Sequence, residues 1–389
     1  MEKPSRYGTF IGSGTEPEQE FNKHLAVPLL KRLDQRLKES RPGSDESDNL
    51  VFIKNAVKGI CISATVKDEG NADFRLSHQE LDWMLRHPED KWVDYLSYRY
   101  RFKVYPQLRK LTEFPLHLLI EPASICNLRC IMCYQTDEKF TRNKKHMGLM
   151  PWELFTRIVD EACENQCQAI TLASRGEPTL HKEFGKMLRY LSDARIMDVK
   201  INTNATRLNE KLIHDILSSE VSELVFSIDA STKNTYESIR IHGNFDKVVA
   251  NIEKYNDIRY KHYPKSPTVT RITGVKVNND QDLEHMSYFW KQRVDHVVIK
   301  NAMPRWDTYE NAEMNIDTPC TALWERVYVW FDGTINPCDV DYRSFLALGN
   351  IREISVREIW KSPAYNELRN KHEEKRRSVL IPCSQCPNK

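Results

Sequence analysis

At 389 residues, with 40% apolar and 29% charged side chains, the chain has room for two domains and the composition of a folded globular protein rather than a disordered or fibrous one. Lys and Arg number 57 against 55 Asp and Glu, a formal net charge of +2, so no basic footprint points to nucleic acid as a partner. The opening residues, MEKPSRYGTFIGSG, hold no apolar signal core, and no apolar run reaches the roughly 18 residues needed to cross a bilayer. The expectation is a cytoplasmic protein with no membrane partner. In that compartment its ten cysteines read as metal ligands before they read as disulfides.

Residues 1–112 form an N-terminal extension of unassigned role, expected to be mainly helical. A linker is expected at SRPGSDESDN (40–49), which is rich in turn formers and acid, then a strand pair around LVFIKNAVKGICISATV. HQELDWMLRHPEDKWVDYLSYRYRF follows as a helical stretch. Its cluster of Trp92, Tyr95, Tyr98 and Tyr100 reads as packing material against the next domain, without chemistry of its own.

Residues 113–304 alternate. Strands are predicted at PLHLLIE (115–121), QAITLAS (168–174), MDVKINTN (197–204), SELVFSID (222–229), TVTRITGVKV (268–277) and VDHVVIK (294–300), with helical patterns between them. Repeated strand and helix with right-handed crossovers predicts an α/β fold, a partial (β/α)6 TIM-like barrel. Functional residues then belong at the carboxyl ends of its strands.

Just past the first strand stands EPASICNLRCIMCYQ, with Cys126, Cys130 and Cys133 spaced C-x3-C-x2-C. Three thiolates fill three corners of a [4Fe–4S] cube and leave one iron open, whereas three cysteines in one short loop would be an unusual zinc site. This motif, placed after the first strand of a partial barrel, resembles that of the radical S-adenosylmethionine (SAM) enzymes. The resemblance implies that SAM chelates the open iron and is cleaved reductively to a 5′-deoxyadenosyl radical that takes hydrogen from substrate. Later strand ends continue it. Gly176-Glu177-Pro178 looks like the family's GGEP segment, with Arg175 in place of its first glycine, and Glu177 is implied to hold the SAM amino group. INTNAT, with Asn204, resembles TNGT; FSIDAS, with Ser227 and Asp229, resembles SIDG near the ribose or methionine. Arg240 matches an arginine that pairs with the SAM carboxylate, a partner suited to a guanidinium fork. Met132 stands where an aromatic near adenine is common, and Tyr134 follows instead.

Residues 305–389 repeat the cysteine pattern. Cys320, Cys338, Cys383 and Cys386 surround RVYVWFDGTINPC, which reads as a hairpin turning at Asp332-Gly333, and a loop followed by an amphipathic helix. Zinc is one reading of four such thiols. After a SAM-radical barrel, the segment resembles the SPASM or twitch extension: a small hairpin-plus-helix domain holding one auxiliary [4Fe–4S] cluster. Cys163 and Cys167, read as i, i+4 on a helix, and Cys61 are taken as buried small residues.

A closed cluster beside a radical site implies oxidation, as in the 2-deoxy-scyllo-inosamine dehydrogenases, whose cysteine spacing the chain resembles. The favoured activity is dehydrogenation of a hydroxylated small molecule such as an amino sugar, cyclitol or sugar nucleotide, with a flavodoxin or ferredoxin as electron donor. Peptide maturation is the alternative; a non-catalytic iron–sulfur or zinc protein that binds a partner is a third reading. No catalytic base is identified, and Arg305 and Asp307 are candidates by position only.

Overall fold

The computed structural model describes residues 25–60, 74, 76–303 and 308–387. The chain divides into two compact units, Gly14–Thr112 and the body Glu113–Lys389.

In the first unit the helices are Ala26–Glu39, Asp45–Ile60, His78–Arg86 and Trp92–Leu108. The linker expected at 40–49 is present only over residues 40–44; the second helix takes over its remainder and the strand expected to begin at Leu50. Asp45, Glu46 and Asp48 sit in its first turn, where carboxylates complement the helix dipole. Leu50, Ile53 and Val57, three and four residues apart, are its fully buried face. Cys61 and the remainder of the expected strand pair lie outside the described residues. The aromatic cluster is buried within this same unit: Tyr95 stacks on Trp83 at 3.7 Å, and Tyr100 meets Phe52 and Phe74, each at 5.3 Å.

The body is built on a nine-stranded sheet, in which the barrel strands are flanked on one side by three strands from the C-terminal segment. Six are parallel neighbours drawn from the predicted segments: β1 His117–Ile120, β3 Ala169–Leu172, β4 Asp198–Thr203, β5 Glu223–Ser227, β7 Val269–Lys276 and β8 His296–Asn301. Helices between them, among them Trp152–Glu164, Phe184–Asp193, Glu210–Ser218 and Phe245–His262, cover one face. Leu118, Ile120, Ile170, Leu172, Ile201, Leu224, Phe226 and Ile272 point to those helices and form the core with Phe155, Ile158, Leu188, Ile216, Ile252 and Trp290. Because side chains alternate across a strand, the intervening residues, including Lys200, Asn202, Ser227 and Thr273, line the opposite, concave face.

The predicted hairpin is present as β9 Arg326–Val329 and β10 Thr334–Asn336, and it is part of the same sheet. β9 lies parallel to β1 with His117 opposite Arg326, so the C-terminal segment extends the barrel sheet past its first strand. β11, Gly349–Asn350, completes that edge. The helical stretch beyond is two helices, Val356–Trp360 and Pro363–Glu373, separated at Ser362, which caps the second. No helix among the described residues is long and apolar enough to cross a membrane.

Candidate functional site

The cysteine loop leaves β1 at Glu121 and is fixed by pairing the sequence pattern did not reveal. β2, Arg129–Cys130, runs antiparallel to β6, Arg240–Ile241, with Cys130 opposite Arg240. This register sets the Arg240 guanidinium against the loop, with Nη1 3.8 Å from Cys130 Sγ. Gly176 packs so closely on the same loop that a Cβ there would lie 2.4 Å from the carbonyl oxygens of Ala123 and Ile125, which explains a glycine at this place. The next amide, Glu177 N, donates to Ile125 O at 2.9 Å.

The three thiols share one environment. Burial pushes Cys126 up to about 11, with Glu177 and Cys130 adding to it. Burial pushes Cys133 up to about 12, helped by Cys130 and Cys126. Cys130 is raised by burial and by Asp229, against the pull of Arg240. Thiols that raise one another in this way suit a shared cationic centre, which takes them as thiolates. Two N–H donors already face the Cys126 sulfur: Leu128 N lies 3.4 Å from Sγ, and Asn204 Nδ2 lies 4.0 Å from it.

The strand-end residues converge on this loop. Glu177 is buried and accepts four hydrogen bonds, from Thr179 N, Thr179 Oγ1, Thr203 Oγ1 and Asn204 N, at 2.5–3.1 Å. Burial raises its pKa, and these donors oppose the rise. Asn204 uses both ends of its amide inside the protein, donating to Asn127 Oδ1 at 3.0 Å and accepting from Thr206. Asp229 is fully buried; it pairs with Arg240 Nη2 at 2.7 Å and accepts from Val275 N at 2.8 Å. Burial lowers the Arg240 pKa, but Asp229 and Cys130 outweigh it and hold the guanidinium above its ordinary value. Arg240 Nε is buried without a hydrogen-bond partner among the described residues, a donor that fits a carboxylate ligand. Ser227 sits opposite Thr273 on the concave face. On that face Asn202 Oδ1 and Thr273 Oγ1 are also buried, with no hydrogen-bond partner among the described residues.

Arg175, which marks the departure from the family's first glycine, has a job of its own. It is fully buried and makes three bonds to the Glu121 carboxylate at 2.7–3.0 Å. A further bond reaches Tyr342 O at 3.0 Å, and the guanidinium lies 4.1 Å over the Trp330 ring. Tyr134 turns the same way, stacking on Tyr342 at 4.8 Å and donating to Ser174 O. Arg343 pairs with Asp137 at 2.6 Å, and Tyr342 donates to it at 3.0 Å. The loop after the first three cysteines is therefore clasped by residues that follow Cys338.

The four C-terminal cysteines also gather. Burial drives Cys338 well above the ordinary thiol value, with Cys383 and Cys386 adding to it; Cys383 is raised by burial, then by Cys320, with Cys386 contributing. Arg377 is buried and donates to Cys383 O at 3.1 Å and Cys386 O at 3.2 Å. Asn336 donates to Cys338 O at 2.8 Å. Asp341, also buried, accepts from Tyr309, Phe345 and Leu346. Among the described residues, no three or more His, Cys, Asp or Glu side chains close tightly enough to form a preformed one-ion site.

Cys167 is buried as expected, but Cys163 is exposed, and the two do not share a helix: it ends at Glu164, because the chain turns through a left-handed Gln166 at φ 54°. Arg305 and Asp307 lie outside the described residues.

Comparison with known proteins agrees with this geometry. The radical SAM superfamily model matches residues 120–288, and the SPASM iron–sulfur cluster-binding domain model matches 320–387. A tungsten-containing aldehyde ferredoxin oxidoreductase cofactor-modifying protein of Pyrococcus furiosus is 26% identical over 306 residues, covering 65% of this chain and 83% of that protein. A cysteine-type anaerobic sulfatase-maturating enzyme of Clostridium novyi is 31% identical over 191 residues, 46% of this chain and 48% of the relative. The structure of Streptococcus suis SuiB bound to precursor peptide SuiA superposes with a TM-score of 0.54 at 15% identity, covering 83% of this chain and 80% of SuiB; at that identity the likeness is one of fold. With an open set of three cysteines at the end of β1 and a second set after the barrel, the chain is a radical SAM enzyme that carries a C-terminal SPASM domain, and its cofactors are SAM and iron–sulfur clusters.

Proposed function

We propose that the protein is an oxidoreductase that dehydrogenates a hydroxylated small molecule, an amino sugar, cyclitol or sugar nucleotide. Its central support is the contrast between the two cysteine sets. Cys126, Cys130 and Cys133 leave one iron of a [4Fe–4S] cluster free, whereas Cys320, Cys338, Cys383 and Cys386 would occupy all four irons of another. When bound, these groups would supply a 5′-deoxyadenosyl radical that removes the carbinol hydrogen atom from substrate and an acceptor for the electron left behind, with the hydroxyl proton passing to water. A flavodoxin- or ferredoxin-type donor would supply the electron that starts the reaction.

The chain's own residues have distinct tasks in this reading. Arg240, held by Asp229, offers its unpartnered Nε to the SAM carboxylate. Glu177, whose acceptor positions are filled from within the protein, orders the Asn204 turn and adds negative charge toward the SAM amino group. Asn202 and Thr273 offer unpartnered oxygens on the concave face, which suit substrate hydroxyls. Arg175 and Tyr134 hold the first cysteine loop to the SPASM segment.

Peptide modification is the second reading, favoured by a relative named as a sulfatase-maturating enzyme. Deuterium transfer separates the two. Reduced, reconstituted protein should cleave SAM to 5′-deoxyadenosine slowly alone and faster with substrate. Perdeuterated aminocyclitols or sugar nucleotides should place deuterium in the 5′-deoxyadenosine. Transfer only from deuterated peptides would replace this reading by the maturase one.

A further inference from the structure

The helix Pro363–Glu373 presents Tyr365, Arg369 and His372 to the interior, spaced i, i+4 and i+7 along one face. The first two anchor it. Tyr365 Oη reaches Arg326 O at 3.4 Å, and Arg369 donates to Leu323 O at 3.0 Å and Trp360 O at 2.9 Å. His372 is 1% exposed and stands at the auxiliary cysteines. Its Nδ1 accepts the backbone N–H of Cys320 at 3.2 Å. A few residues past the helix, Arg377 bonds the carbonyls of Cys383 and Cys386, so the segment 372–377 touches the backbone of three of the four cysteines.

That one contact fixes the ring. A nitrogen that accepts from an amide carries a lone pair, so in the neutral imidazole the proton is on Nε2. Nε2 is buried and has no hydrogen-bond partner among the described residues. A buried N–H without an acceptor is strongly disfavoured, and such orphans point to a group the protein is built to hold. The acceptors that an iron–sulfur cluster would bring here are sulfurs bearing negative charge, and donors to those sulfurs raise a cluster's potential.

We propose that His372 donates its Nε2–H to a sulfur of the auxiliary cluster, a cysteine thiolate or a bridging sulfide, and thereby makes that cluster a better electron acceptor. The inference rests on the auxiliary-cluster reading of Cys320, Cys338, Cys383 and Cys386. His372 is a tuning residue in this account: it sets how readily the second cluster takes an electron and plays no part in SAM cleavage.

The test uses the full chain with Cys126, Cys130 and Cys133 changed to alanine, so that only the second cluster contributes iron and a reduced-state signal. Protein labelled with 15N-histidine is reconstituted, reduced and examined by pulsed electron paramagnetic resonance. The expected result is a 15N coupling that disappears in both His372→Asn and His372→Gln. Redox titration of the same proteins gives the second readout. His372→Asn keeps an acceptor near the Nδ1 position but loses the distal donor, so its potential should become more negative. His372→Gln returns an amide N–H near the Nε2 position and should recover part of that shift. A merely structural histidine predicts the parent's potential in His372→Asn, since the Cys320 contact is kept. No 15N coupling in iron-loaded parent protein, or an unshifted potential in His372→Asn, would overturn the proposal while leaving the cluster in place. A parent that binds no iron at this set would overturn the auxiliary-cluster reading and the proposal together.

Discussion

At the residue scale, two arginines divide the labour of the site. Arg240 is held between Asp229 at 2.7 Å and Cys130 Sγ at 3.8 Å, with Nε left for a ligand. Hydrogen bonds to charged groups contribute about 1.5–3 kcal/mol, so Arg240→Ala should weaken SAM binding by roughly 10- to 150-fold. The variant also strands the buried Asp229, so the comparison is made on folded protein; there iron content should fall far less, because the guanidinium is not a ligand, and equilibrium binding and iron analysis on the same sample check both. Arg175 has a structural burden instead. Its pair with Glu121 is fully buried, so Arg175→Ala strands a carboxylate and should destabilise the body by about 3–5 kcal/mol in denaturant unfolding. Replacing both partners with methionine should recover most of that loss, because it removes the uncompensated charge. The grouping of Cys126, Cys130 and Cys133 was legible because the three thiols fall within eight residues of one loop. Arg175 was visible only as an anomaly in its motif. Its partners, Glu121 and Tyr342, are 54 and 167 residues away, a separation no local pattern encodes.

At the element scale, the hairpin ties the auxiliary cysteines to the barrel. β9 pairs with β1, the turn follows, and Cys338 comes two residues after β10. The turn depends on Gly333, at φ +91°, where a Cβ would also meet Asn350 Oδ1 at 2.8 Å. Gly333→Val should therefore cost about 1–3 kcal/mol and lower iron retention at the C-terminal set more than at the first. In the N-terminal unit, Glu80 caps its own helix and pairs with Arg99 at 2.7 Å and Lys103 at 2.6 Å. Burial raises its pKa, but the two cations outweigh it and bring the carboxyl down from 4.5 to about 2. A depressed carboxylate stabilises the fold above its unfolded pKa, and that stability is lost as pH falls from 4.5 through about 2. Between pH 7 and pH 3 the parent should lose roughly 1–3 kcal/mol that Glu80→Gln does not lose, as read from urea unfolding followed by tryptophan fluorescence. The barrel strands were legible because each is a short apolar run between helical periods. The helix Asp45–Ile60 was misread because its acidic first turn imitates a linker and its apolar residues form a dense run. The burial of Leu50, Ile53 and Val57 shows the helical spacing that run contained. The β2–β6 pair escaped because two-residue strands carry no period.

At the scale of the whole molecule, the proposed function gives hydrogen abstraction and electron removal to different cysteine sets in one body. The sheet is continuous from β8 to β11, and the Asp137–Arg343 and Arg175–Tyr342 contacts join the two sets' surroundings. Both sets could be read from spacing, but their joining by a shared sheet could not, since β1 and β9 meet across some 200 residues of chain. The proposed function requires two clusters of different ligation, which iron and sulfide counting on the reconstituted protein can establish. Anaerobically reconstituted protein should hold about eight irons and eight sulfides per chain, and the Cys126/Cys130/Cys133→Ala protein about four of each. Four irons in the parent falling to none in the triple variant, or stoichiometric zinc without sulfide at the C-terminal cysteines, would contradict it.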